Sequence, residues 1–151
     1  MSQSERTLPA RCVVDASVLV KLFLPEDGSG IATKLMHPVG EDGIVRAVPD
    51  LAYLECANIF WKWVRRGKLS PDLARENLVD LLALPLQVWP SRHLVEHALA
   101  AGIDKSVTVY DASYLALSGL LEVPLVTADQ DLVRSAGNDH DVWLLDSLPD
   151  R

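Results

Sequence analysis

Along the chain, short apolar runs alternate with stretches in which apolar residues recur every three or four positions. CVVDAS at 12–17 is a buried-strand signal rich in β-branched residues, and Ser17 is placed to cap a helix over 18–24 that Pro25 stops. Helical spacing resumes over 26–37, followed by a turn-rich segment at 38–43 and a strand, IVRAV, at 44–48. The longest helical pattern covers 51–66 and closes at Gly67. Ser70-Pro71-Asp72-Leu73 opens the next helix, with proline at its first position, and this helix runs to about Leu84. A strand at 86–89 follows, then a helix at 91–101 ended by Gly102 and a helix at 109–118 ended by Gly119. A strand at 123–126, a helix at 130–135 and a strand at 142–145 complete the pattern. Strands separated by helices predict an α/β fold with a parallel sheet covered on both faces. In such sheets ligands bind at the carboxyl ends of the strands, so the residues standing there carry the chemistry.

Composition narrows the function. With 151 residues, 49% hydrophobic and 23% charged, the chain has enough apolar material for one domain with its own core, which excludes disordered and low-complexity classes. That domain is placed at 12–146, with 1–11 a flexible polar lead-in. Fourteen Lys and Arg against 21 Asp and Glu give a net charge of −7, which argues against a long nucleic-acid-coating surface. Only Cys12 and Cys56 occur, each inside an apolar run, so a disulfide framework is excluded and a reducing, cytoplasmic setting is expected. The best membrane candidate, 12–24, carries Asp15 and Lys21 and is too short to span.

Four acids stand near predicted strand ends. Asp15 follows the first strand, Asp129 follows the LVT strand, Glu55 lies one turn into the long helix and Asp111 opens the helix after Gly102. Each has an ordinary structural role open to it. Asp129 suits a helix cap, Thr108-Val-Tyr-Asp111 fits a capping box, Asp15 suits a turn and Glu55 a solvated helix face. Together they favour chemistry, because Asp15 and Asp111 sit inside apolar runs, where an acid must be paired, neutralised or metal-bound. Carboxylates sharing one crevice repel unless a divalent cation joins them, and hard oxygen ligands suit Mg²⁺ or Mn²⁺. Metal-assisted phosphodiester hydrolysis is the chemistry this donor set suits. On the long helix, Glu55, Asn58, Lys62, Arg65 and Arg66 share one stripe, opposite Tyr53, Cys56, Phe60, Trp63 and Val64. The stripe reads either as a track for strand phosphates or as a solvated face with cations at its C-terminus.

VVDASVLVKLF, PDLAYLECANIFWK, VYDASYLAL and VPLVTADQDL resemble, in order, the four signature segments of PIN-domain nucleases, in particular those of VapC-type toxins of toxin–antitoxin modules. The resemblance spans 12–145 and implies a three-layer α/β/α fold with a parallel five-stranded sheet. It implies an acidic quartet at Asp15, Glu55, Asp111 and Asp129. Asp15 and Asp111 would hold Mg²⁺ or Mn²⁺, with Asp129 nearby, and Glu55 would orient or deprotonate the attacking water. Ser17, Thr127 and Asn58 match further family positions, and with Lys62 and Arg65 they are candidate substrate-binding residues. Asp131, at the rim, is an alternative to Asp129. The implied activity is endoribonuclease cleavage of tRNA or rRNA by a homodimer that a cognate antitoxin silences. Val18, Leu19, Leu22, Phe23 and the residues near Trp61 are candidates for antitoxin contact, against ordinary core packing; Phe60, Trp61 and Trp63 suit a dimer interface.

Rival readings fit less well. His93-Leu-Val-Glu96-His97 matches a zinc-peptidase pattern, but no third ligand stands out. Gly28-Ser-Gly30 lacks the final glycine of a dinucleotide fingerprint, since Thr33 occupies it. An Mg²⁺-binding signalling receiver resembles this layout, but it wants paired acids after the first strand, where Asp15-Ala16-Ser17 stands. A phosphatase of the D-x-D-x-T type likewise needs an aspartate at Ser17. A catalytically silent PIN-fold RNA-binding module keeps the fold without the reaction.

Overall fold

The computed structural model describes residues 7–149. Five strands, β1 (Arg11–Val14), β2 (Val45–Pro49), β3 (Gln87–Trp89), β4 (Leu125–Thr127) and β5 (Val142–Leu144), pair in parallel in the order β3-β2-β1-β4-β5. The helices among the described residues are α1 (Ala16–Leu19), α2 (Ser29–Met36), α3 (Ala52–Arg65), α4 (Pro71–Ala83), α5 (Val95–Lys105), α6 (Val109–Leu121) and α7 (Gln130–Ala136). Cys12, Val13 and Val14 are each fully buried, as are Leu125 and Val126. Successive strand residues point to opposite faces, so the centre of the sheet is covered on both sides.

The strand order settles one rivalry. Receiver domains use the order 2-1-3-4-5, whereas here β1 lies between β2 and β4. The chain moves outward from β1 through β2 to β3, then returns to start the other half at β4. The switch point, and with it the crevice, lies between the carboxyl ends of β1 and β4. Asp15 and Asp129 follow those two strands.

The opposite end of the sheet is tied by Arg46, 1% exposed, whose guanidinium donates to the carbonyls of Leu35 (3.0 Å), Ala10 (2.9 Å) and Val45 (3.1 Å). Of the lead-in at 1–11, residues 1–6 lie outside the described residues, while Leu8 packs against the core and Arg11 opens β1. Both cysteines are free and buried. Burial pushes the Cys12 thiol up to about 11 and that of Cys56 to about 12, so both are inert packing groups.

Several helix bounds differ from the periodicity. The first helical run breaks after Leu19 into a 3₁₀ turn (Val20–Leu22), and α2 starts only after Gly28, whose φ of 89° is closed to a helix. The run from 91 splits into a 3₁₀ turn (Ser91–His93) and α5. Gly102 and Gly119 lie inside helices rather than ending them. The left-handed residues that close α5 and α6 are Ser106 and Glu122. Gly102 has a different purpose, because a Cβ there would come within 3.1 Å of the Val107 carbonyl.

Candidate active site

Asp15 is the N-cap residue of α1, yet its side chain caps nothing. Its Oδ2 instead accepts hydrogen bonds from Ser17 Oγ (2.6 Å) and Thr127 Oγ1 (2.9 Å). Those hydroxyls are fixed in turn, since Ser17 Oγ accepts from the Ala128 N–H (3.0 Å) and Thr127 Oγ1 from the Asp129 N–H (3.1 Å). The β1–α1 and β4–α7 junctions are thus laced together around one carboxylate oxygen, leaving Oδ1 uncommitted to the two hydroxyls. Asp129 caps α7 through Oδ1, which accepts from the N–H groups of Asp131 (2.9 Å) and Leu132 (3.4 Å).

Glu55 enters from α3, half-buried, and its Oε1 accepts a hydrogen bond from Tyr114 Oη at 2.7 Å. Tyr114 is fully buried on α6, one turn beyond Asp111. Asp111 is half-buried, and its backbone N–H donates to Thr108 Oγ1 at 3.1 Å, so the capping box forms on the Thr108 side.

The electrostatics join the four acids into one cluster. Burial pushes Glu55 from its ordinary value of 4.5 up to about 7; the Tyr114 hydrogen bond opposes this, and the Asp15 and Asp111 charges add to it. Asp111 is raised by burial and then by Asp15 and Asp129, against the Thr108 contact. Asp15 is raised first by burial, with Asp129 adding, against hydrogen bonds from Ser17, Thr127 and the Ala16 backbone. Among the described residues none of the four has a Lys or Arg partner within ion-pair distance. The cluster therefore lacks a counter-charge, and its oxygen-only donors fit a hard divalent cation. Among the described residues no three His, Cys, Asp or Glu side chains stand close enough to cage a metal by themselves.

The other candidates separate. Asn58, Lys62 and Arg65 are exposed on α3, with Arg65 stacked over the Trp61 ring at 5.2 Å. Thr127 is fully buried, so its hydroxyl serves Asp15 and cannot touch a substrate. Asp131 is exposed and pairs with Arg134 along α7, whereas Asp129 is the acid whose charge acts on Asp15 and Asp111. Val18 and Leu19 are core residues, at 0% and 1% exposure, so neither offers a contact surface. Leu22 and Phe23 are half-buried, Phe23 meeting Phe60 edge-on at 5.9 Å. Of the aromatic residues suited to an interface, Phe60 is buried and Trp63 half-buried, which leaves Trp61 exposed. His93 and His97 are exposed and, with His140, line a cavity of about 320 Å³ on α5 and α6 that is no metal cage. Tyr114 is not legible as a site residue in the sequence, because its spacing from Asp111 is local but its partner Glu55 lies 59 residues away.

Comparison with known proteins agrees with this geometry. Residues 12–138 match the family described as PIN domain. The chain belongs to the PIN-domain family. This PIN domain is 36% identical over 124 residues to Ribonuclease VapC3 of Pyrobaculum aerophilum, covering 81% of this chain and 92% of that one. Its fold matches the crystal structure of PAE2754 from Pyrobaculum aerophilum with a TM-score of 0.68 at 20% identity, over 91% of each chain. It also matches a toxin–antitoxin complex from Klebsiella pneumoniae with a TM-score of 0.61 at 14% identity, over 89% of this chain and 97% of that one. The PIN domain's relatives are thus VapC ribonucleases.

Proposed function

We propose that this PIN domain is a metal-dependent endoribonuclease that cleaves tRNA or rRNA and acts as the toxin of a toxin–antitoxin pair. The observation that carries the reading is that burial and neighbouring acid charges, Asp129's among them, raise the proton affinity of Asp15, Glu55 and Asp111, with no basic partner within ion-pair distance among the described residues. Asp15 and Asp111 are the residues that would hold Mg²⁺ or Mn²⁺, with Asp129 beside them. When bound, such an ion would supply Lewis-acid stabilisation of phosphate charge and lower the pKa of the attacking water.

The chain's own residues supply the rest. Tyr114 occupies Glu55 Oε1, which leaves Oε2 to accept the proton of the attacking water. A carboxyl near 7 takes up and gives back protons at neutral pH, as a general base must. The water oxygen bonds to phosphorus, the bond to the leaving ribose oxygen breaks, and that oxygen takes up a proton. Ser17 and Thr127 hold Asp15 so that the carboxylate does not swing away. Asn58, Lys62 and Arg65 lie along the exposed face that starts at Glu55 and suit the flanking strand.

Two partners belong to the same reading. A cognate antitoxin would lie over the groove, with exposed Trp61 and half-buried Leu22 and Phe23 as apolar contacts and a basic side chain at the acids. A homodimer is supported by Val95, Leu99 and Ile103, which are exposed at i, i+4 and i+8 on α5 and make a continuous apolar stripe.

The test is cleavage of a mixed tRNA pool and of ribosomal RNA by purified protein in Mg²⁺ or Mn²⁺ against EDTA, beside Asp15→Asn and Asp111→Asn. Metal-dependent cuts lost in both variants support the nuclease. Folded, metal-binding protein that never cuts tRNA or rRNA returns the chain to a silent RNA-binding module.

A further inference from the structure

Beside the acidic cluster lies a cavity of about 280 Å³, lined in part by Ser17, Lys21, Glu26, Ile59, Ala128 and Asp129. It shares Ser17 and Asp129 with the site described above and adds a cation, Lys21, that no part of the quartet chemistry uses. The Lys21 side chain is only 13% exposed, an unusual state for a lysine. It rises from the 3₁₀ turn after α1 and is clasped by the turn leading into α2. Gly28, left-handed at φ 89°, makes the turn that follows the Asp27 carbonyl holding Lys21.

The ammonium is held but not spent. Lys21 Nζ donates to the Asp27 carbonyl at 2.7 Å, while the Glu26 carboxylate stands at 3.9 Å, an ion pair beyond hydrogen-bond reach. An ammonium has three N–H groups, so two remain for a ligand. A largely buried lysine with two unspent donors, on the wall of a cavity that opens beside the acidic cluster, matches a phosphate oxygen.

We propose that Lys21 binds a phosphate of the RNA strand flanking the cleaved bond, seated in this cavity, with Glu26 as the counter-charge that the phosphate displaces. The inference rests on the ribonuclease reading and adds a substrate contact to it. A purely structural ion pair makes a different prediction. Removing either partner would then lower stability and leave RNA affinity alone. In the proposed role the two partners act in opposite directions on binding.

The experiment measures binding of labelled, unfractionated tRNA and of rRNA in Mg²⁺ by full-length protein carrying Asp15→Asn to prevent turnover. Adding Lys21→Met is expected to weaken binding roughly tenfold, the scale of one charge-assisted contact. It should also reduce the slope of log affinity against log salt by about 0.7. Lys21→Arg should restore most of the affinity, and Glu26→Gln should tighten binding about threefold by removing a like charge near the phosphate. Thermal unfolding of each variant accompanies the titrations. If Lys21→Met does not fold, Glu26→Gln and Lys21→Arg still decide. Unchanged affinity in Glu26→Gln, or in a folded Lys21→Met, overturns the Lys21 assignment while tRNA or rRNA binding by the parent keeps the ribonuclease reading. No binding of either tRNA or rRNA by the parent overturns both.

Discussion

Tyr114 Oη donates a 2.7 Å hydrogen bond to Glu55 Oε1 from a wholly buried position, joining α6 to α3 across the acidic cluster. The bond favours the charged form of a carboxylate that burial and two neighbouring acids push the other way. Glu55 is thereby held at about 7, where it exchanges its proton at neutral pH, instead of being raised further.

Tyr114→Phe keeps the ring and removes that donor. Loss of one hydrogen bond is expected to cost about 1 kcal/mol of stability. The larger effect is on the pH profile of cleavage. Glu55 loses support for its charged form, so its pKa rises above about 7 and the acid limb of the rate profile moves to higher pH. A profile that keeps its acid limb in place would separate Glu55 from the general-base role.

Stability without metal should fall with rising pH. The folded-state pKa of Glu55 lies above its ordinary 4.5, so its contribution is fully present below 4.5 and is lost as pH rises through about 7. Asp15 and Asp111, also raised, act in the same direction. In EDTA, the unfolding temperature should decline across this window, and Glu55→Gln should flatten the decline. Mg²⁺ should restore stability most at the alkaline end, where the carboxylates are charged. A metal-free protein whose stability climbs through this window contradicts the shared-charge account.

Thr127→Val tests whether Asp15 needs its hydroxyl support. The change leaves a buried carboxylate oxygen and the Asp129 N–H each short of a partner, at a cost of about 1–3 kcal/mol. Mn²⁺ affinity, measured by calorimetry, should drop about tenfold or more, the scale of lost support behind a metal ligand, with tRNA affinity in EDTA unchanged. Unaltered Mn²⁺ binding would make Thr127 a packing residue only.

Lys62→Ala combined with Arg65→Ala tests the exposed face of α3. If both cations meet phosphates, tRNA binding weakens and its salt slope falls by about 0.7 per contact, while metal affinity stays constant. Arg65 already stacks on Trp61, so the two single variants should divide the effect unequally, with Lys62 carrying more of the salt dependence. Equal slopes for the double variant and the parent would return this stripe to a solvated helix face.

The parts legible in the sequence are those written locally. Ser70, Thr108 and Asp129 cap the helices their positions foretold, because a capping side chain reaches an N–H only two or three residues ahead. Asp15 and Asp129 follow β1 and β4 as the alternation of apolar runs and polar ends implied. Local signals also misled. Gly102 and Gly119 read as helix ends, but a glycine serves close packing as readily as a left-handed cap, and Ser106 and Glu122 took the caps instead. Val95 and Leu99 recur at helical spacing, yet both are exposed, since periodicity marks an apolar stripe without saying whether anything in the same chain covers it.

By itself, then, the sequence determined the α/β alternation, the acids at the strand ends and the starts of the capped helices, all set by hydrogen bonds and side-chain patterns within a few residues. Tertiary structure alone decided the order β3-β2-β1-β4-β5, the burial of Thr127 under Asp15, the pairing of Tyr114 with Glu55 and the clasp on Lys21. The first three depend on which distant segments pack together, and the clasp on how the chain turns at Gly28. Packing buries Asp15, Glu55 and Asp111 where burial and neighbouring acid charges raise their pKa, an effect that no local sequence pattern carries.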